Sequence, residues 1–371
     1  MKTRPNSPQL TRADFLRGIT AAAALAALPA GAARAQPATA PAGKIYDLRD
    51  FVKWITEEFE PSVRLPGPAG SYARSPGQTS VELYGISDMA CILHTIGRLK
   101  LTDKERAEWA DNFNSFQHAD TGMLVEKAAP THDPLHNTAF ALAAMQLLDM
   151  RPKLPVTMGP QYSDPAAFLK TLNWKTAVYG ESHKGAGIGA IYALTPELGT
   201  LDWFKAYFAA TETYVDPKNG LMGQEKPATG DFDQVGGTFH YFFLYNHFNK
   251  RMPFPERRID TLLGLQLPDG NWDKTNKTWL TLDGLYLMSR TLRYAPYRNA
   301  DVIAAFRRTM DQLMTDMYSP EARKTAYSGR LGVHSVTCAI SIAAEAQQFL
   351  GAQEVVTDWP LKLVLDRRPF I

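Results

Sequence analysis

The 371-residue chain has only two cysteines, Cys91 and Cys338, which excludes a disulfide-rich scaffold and a zinc finger. They are read as either one bridge or two small buried residues. An excess of one charge sign is also lacking. The formal net charge is +2 and becomes −2 once residues 1–35 are set aside, so no nucleic-acid partner is expected. Apolar runs are short: the one from Ile19 to Leu28 cannot span a bilayer, and no integral membrane segment is expected elsewhere. The chain contains no phosphate-cradling glycine loop, no Gly-x-Ser-x-Gly elbow and no dinucleotide fingerprint.

What is there begins with an export-like N-terminus. Lys2, Arg4, Arg12 and Arg17 flank or precede the apolar run, and small residues follow as far as Ala33, Arg34 and Ala35. This order reads as a secretory signal over 1–35, an Ala- and Pro-rich linker over 36–43, and a periplasmic or secreted single domain over 44–371. Residues 11–17 resemble a twin-arginine signal with Ala13 in place of the second arginine, so the export route stays open.

Helical periodicity dominates the rest. Between His136 and Met150, Ala139, Phe140, Ala143, Met145, Leu147 and Leu148 leave almost no polar face, the pattern of a helix buried all round. Similar apolar helices are expected from near Ser87, Gly185, Gly236, Leu282 and Gly332. Helices with one wet face alternate with them: 47–59, one starting at Thr102 with Glu105 as its capping-box partner, one starting at Asp164 before Pro165, and 200–214, 255–265 and 299–318. Six of each kind predict an all-α (α/α)6 toroid, a double ring of six inner and six outer helices.

Four connectors share a glycine-centred signature: Gln117 to Gly122, Asp216 to Gly220, Gln266 to Gly270 with Trp272, and Tyr327 to Gly329. The third resembles the Gln-Trp repeat of squalene cyclases and protein prenyltransferase beta subunits, which implies the toroid fold. His132 to Phe140 is similar to the histidine segment of the prenyltransferase zinc site, and Asp283 to Tyr286 to its aspartate and cysteine segment. Here Leu285 stands at the cysteine position and the two segments come in reversed order.

Aligning the buried helices by their starts brings Asp88, His136, His183, His240, Asp283 and His334 to one end of the ring as candidate catalytic residues. Asp caps helices, and a buried histidine is often just core, yet caps alone do not call for four histidines. Neutral imidazole gives or takes a proton near neutrality. Tyr84, Glu181, Glu225, Asp233, Tyr241, Trp272, Trp279, Tyr286 and Arg330 are the candidate substrate-binding residues, with His132 and Asp231 beside them. The histidines are not read as a short-spaced ligand pair, and no metal or cofactor is expected. The toroid resembles that of exported unsaturated glucuronyl hydrolases, polysaccharide lyases and uronyl epimerases. The resemblance implies a carbohydrate-active lyase or glycoside hydrolase with a carbohydrate or other small-molecule substrate. Two alternatives stand: an isoprenoid cyclase, dehydratase or isomerase of the same fold, suggested by the Gln-Trp repeat and the aromatic run Phe239 to Phe243, and a non-catalytic sugar-binding protein.

Overall fold

The computed structural model describes residues 44–126, 132–223, 231–274, 278–327 and 332–367. The expected signal and linker, together with Glu225 and Arg330, lie outside the described residues, and the side chain of Asp231 is likewise not described. Helices carry the described chain: α1 (Arg49–Trp54, continuing through a π-helical Ile55–Phe59 into Glu60–Val63), α2 (Leu83–Thr95), α3 (Asp103–Asn114), α4 (Pro134–Leu147), α5 (Pro165–Lys170), α6 (Val178–Leu194), α7 (Leu201–Glu212), α8 (Asp231–His247), α9 (Pro255–Leu265), α10 (Trp279–Leu292), α11 (Asn299–Asp316), α12 (Pro320–Ala326) and α13 (Gly332–Leu350). No described helix is long and apolar enough to cross a membrane.

Local chemistry explains where several of them begin. Thr102 accepts from the Glu105 backbone while the Glu105 carboxylate accepts from Thr102 N, a complete capping box on α3. Asp164 accepts from Ala166 N and Ala167 N, and Pro165 occupies the first turn of α5. Asp133 caps α4 through Leu135 N, again with proline in the first turn.

The six apolar helices α2, α4, α6, α8, α10 and α13 neighbour one another in cyclic order: each packs on the next, and α13 packs back on α2. The wet helices lie against them, α3 on α2 and α4, and α11 on α10 and α13. One element departs from an all-helical chain. Tyr46–Asp47 (β1) and Val355–Val356 (β2) pair in parallel, tying the two ends of the described chain together.

Three of the four glycine-centred connectors share one backbone solution; the fourth has Gly329 outside the described residues. Gly122, Gly220 and Gly270 all take positive φ, at 68°, 71° and 84°. A Cβ at Gly122 would lie 2.2 Å from Pro155 O, so side-chain atoms are excluded there as well. Gln117 Nε2 donates to Gly122 O and Leu154 O, and Gln266 Nε2 donates to Gly270 O and Ala305 O. In both connectors the glutamine fastens its own turn to the segment that follows in the next repeat.

Four of the apolar helices start earlier than expected, at Leu83, Val178, Asp231 and Trp279 in place of Ser87, Gly185, Gly236 and Leu282. The added turns hold residues such as Tyr179, Glu181 and Asp233, whose polar atoms mask the apolar pattern. The short α12 has no counterpart in the expected alternation. Asp88, His183, His240 and Asp283 consequently sit four to nine residues inside their helices.

Candidate functional site

The apolar helices deliver polar groups to one small cavity. His136 from α4, His240 from α8, Asp283 from α10 and His334 from α13 line it, joined by His132 from the approach to α4. Tyr179, Phe239, Trp279, Leu282 and Cys338 complete the wall. The cavity measures about 30 Å³, room for roughly two water molecules. It therefore admits an ion or a reacting group, and a whole sugar ring does not fit inside it.

Asp88 does not reach the wall. It is fully buried behind His334, and both of its oxygens lie 3.2 Å from His334 Nδ1. A carboxylate accepts only, so Nδ1 carries a proton, and in the neutral ring Nε2 keeps the lone pair. This pair also joins the first and last apolar helices, α2 and α13. Across the site, Ser182 donates to Tyr179 O and lies 2.7 Å from His240 Nδ1, so its oxygen accepts from a protonated Nδ1. Tyr84 Oη lies 2.6 Å from His132 Nδ1 and 2.9 Å from His136 Nδ1. The single hydroxyl thus holds two imidazoles.

The imidazoles are crowded. His132 and His136 stack at 4.4 Å between ring centroids, and His183 stands edge-on to both at 4.9 and 4.7 Å. Burial, reinforced by the neighbouring histidines, pushes His136 and His240 well below the usual imidazole value. Burial first, then Lys184, brings His183 down to about 4. The opposite shift occurs at Asp283, which burial pushes well above the usual carboxylate range. Imidazoles shifted toward their neutral form and a carboxyl shifted toward its protonated form share one wall, the pairing of environments that separates an acid from a base.

The expected substrate-binding residues divide. Trp279 lines the cavity, while Tyr84 lies behind it as the clamp on His132 and His136. Asp233 accepts from Val178 N and Tyr179 N, capping α6 from the neighbouring helix and so fixing where Tyr179 points. Trp272 is buried away from the wall: its Nε1 donates to Leu262 O and its ring fills the space that a side chain at Gly284 would take. Tyr286 packs beneath Arg290 and against Phe239 and Phe243. Tyr241 fills the gap opposite Gly185, and Glu181 pairs with Lys184 at 3.1 Å. None of those four lines the cavity.

Tyr179, Ser182, Phe239, Leu282 and Cys338 were missed by the sequence reading. Tyr179 lies one helical turn before His183 and would have shown from it, since positions three and four apart share a helix face, whereas Ser182 meets His240 across two helices and gives no such local signal. The three-residue gap between His132 and His136 was also passed over, although it is a ligand-pair spacing. Among the described residues, His132, His136 and His183 form a group able to hold a metal ion. No family model, no curated protein and no solved structure matches this chain.

Proposed function

We propose that the protein is an exported (α/α)6-toroid enzyme that moves protons at a carbohydrate, with elimination next to a uronate as the reaction class. The observation carrying this reading is the Asp88–His334 pair opening onto the same cavity as Asp283, whose carboxyl burial shifts toward the protonated form. In an elimination, a base takes the proton beside the carboxylate and an acid protonates the leaving glycosidic oxygen. His334 is the base in this scheme, oriented by Asp88, and Asp283 is the acid. Because the cavity holds little more than a reacting group, the sugar chain would lie across its mouth, with Trp279, half-buried in the wall, beneath it. No lysine or arginine lines the cavity among the described residues, so the charge that neutralises the uronate comes from another source.

Incubating the purified protein with a panel of uronate-containing polysaccharides tests the reading, because elimination creates an unsaturated uronate absorbing in the ultraviolet. Ultraviolet absorbance rising with new reducing ends supports elimination. New reducing ends without absorbance would point instead to hydrolysis, and neither signal across the panel would refute a carbohydrate substrate. Phe239 and Leu282 in the wall favour an isoprenoid as the second reading, for which turnover of a terpene alcohol is the corresponding test.

A further inference from the structure

We propose that His132, His136 and His183 form a binding site for a divalent transition metal of the zinc class, with Tyr84 orienting two of the three ligands. One ring nitrogen from each histidine lies within 4.8 Å of the others. A tetrahedral ion with nitrogens at about 2.0–2.1 Å needs them roughly 3.3 Å apart, so small ring movements close the set. The ring planes suit this. His183 stands at 75° and 71° to the stacked His132 and His136, so three imidazoles approach from different directions around one point.

Two further observations point to a ligand. His183 Nε2 is buried without a hydrogen-bond partner among the described residues, a state that costs about 1–3 kcal/mol if nothing occupies the site. Tyr84 Oη contacts Nδ1 of both His132 and His136. The nitrogens turned from Tyr84 are the Nε2 atoms. When Tyr84 Oη accepts from both Nδ1–H groups, both rings take the tautomer that metal binding through Nε2 requires; when it donates to one of them, that ring binds through Nε2 after its proton leaves that nitrogen. Imidazole donors without a carboxylate suit zinc and its first-row neighbours better than magnesium or calcium. Three protein ligands leave a fourth position, and His132 and His136 both line the cavity where it would open.

Metal binding is read by stoichiometry rather than turnover, so it can fail or succeed independently of the uronate reading. The full exported chain is stripped with a chelator, then titrated with Zn²⁺ and separately with Co²⁺. Elemental analysis should find one ion per chain, and bound cobalt should give the intense visible bands of four- or five-coordination. His183→Ala and His132→Ala should each weaken binding by at least about a hundredfold, and Tyr84→Phe by about ten- to a hundredfold. His118→Ala, at an exposed histidine, should bind as the parent does. His132 is half-buried and precedes α4, so its variant carries the test if His183→Ala fails to fold. Substoichiometric metal in the parent, unchanged affinity in folded His132→Ala, or equal loss in His118→Ala would overturn the proposal.

Discussion

Replacing Asp88 by Asn separates a catalytic pair from a structural one. In the parent, both carboxylate oxygens lie 3.2 Å from His334 Nδ1, so the ring carries its proton there. In Asp88→Asn one of these oxygens becomes an NH₂ group at the same distance while the other stays an acceptor, so the charge that dictated Nδ1–H is gone and the ring's tautomer is no longer fixed. In the molecules where the NH₂ group faces the ring, the proton sits on Nε2 and the lone pair needed for proton abstraction points at the amide instead of the cavity. Loss of the correct tautomer and of the carboxylate charge should lower turnover by on the order of 10²–10⁴. Stability should change little, by less than about 1.5 kcal/mol, because shape and one hydrogen bond survive. Asp88→Ala is the contrasting variant: it leaves a buried partner alone between α2 and α13 and should cost about 3–5 kcal/mol. Nitrogen-15 NMR of the histidine rings reads the tautomer without a substrate, and thermal unfolding reads the stability. A His334 ring that keeps Nδ1–H in Asp88→Asn, with turnover intact, would refute the reasoning.

Three other outcomes follow from the same geometry. Gly185→Ala would place a Cβ 1.8 Å from Tyr241 Oη, inside a packed helix contact, and should lower stability by about 1–3 kcal/mol in denaturant melts. Glu345→Ala leaves Arg290 buried with part of its ion pair gone, so a loss of about 3–5 kcal/mol is expected at the end of the helices away from the histidines. Because the Asp283 pKa is raised on folding, the folded state holds a proton that the unfolded chain releases near its ordinary value. The contribution of Asp283 to stability is therefore present below about pH 4 and is lost as pH rises toward its folded pKa. Asp283→Asn should flatten that part of the stability–pH curve, and an unchanged curve would show that Asp283 is not buried as a proton-holding acid.

The alternation of wet and buried helices was legible because a helix buried all round, such as α4, leaves no polar stripe, whereas the capped α3 and α5 announce their first turns through Thr102 and Asp164. Helix starts were harder to read. Tyr179, Ser182 and Asp233 face a polar cavity or cap a neighbour, so they interrupt the apolar pattern in turns that are fully helical. Trp272 was legible as part of a repeat, with loop packing standing against presentation to a substrate, and the approach of α10 at Gly284 shows the ring packed. The β1–β2 pair was invisible, since two residues on each side make a strand only when segments some three hundred residues apart come together.

Asp283→Asn, measured for turnover and melting temperature in one preparation at neutral pH, tests most directly whether this polar cluster exists for chemistry. If Asp283 is an acid held protonated at the cavity, turnover should fall by about two orders of magnitude or more. The melting temperature should hold or rise, because an amide is buried more readily than an ionisable carboxyl. A lowered melting temperature with full activity per folded molecule would contradict the account and return Asp283 to the core.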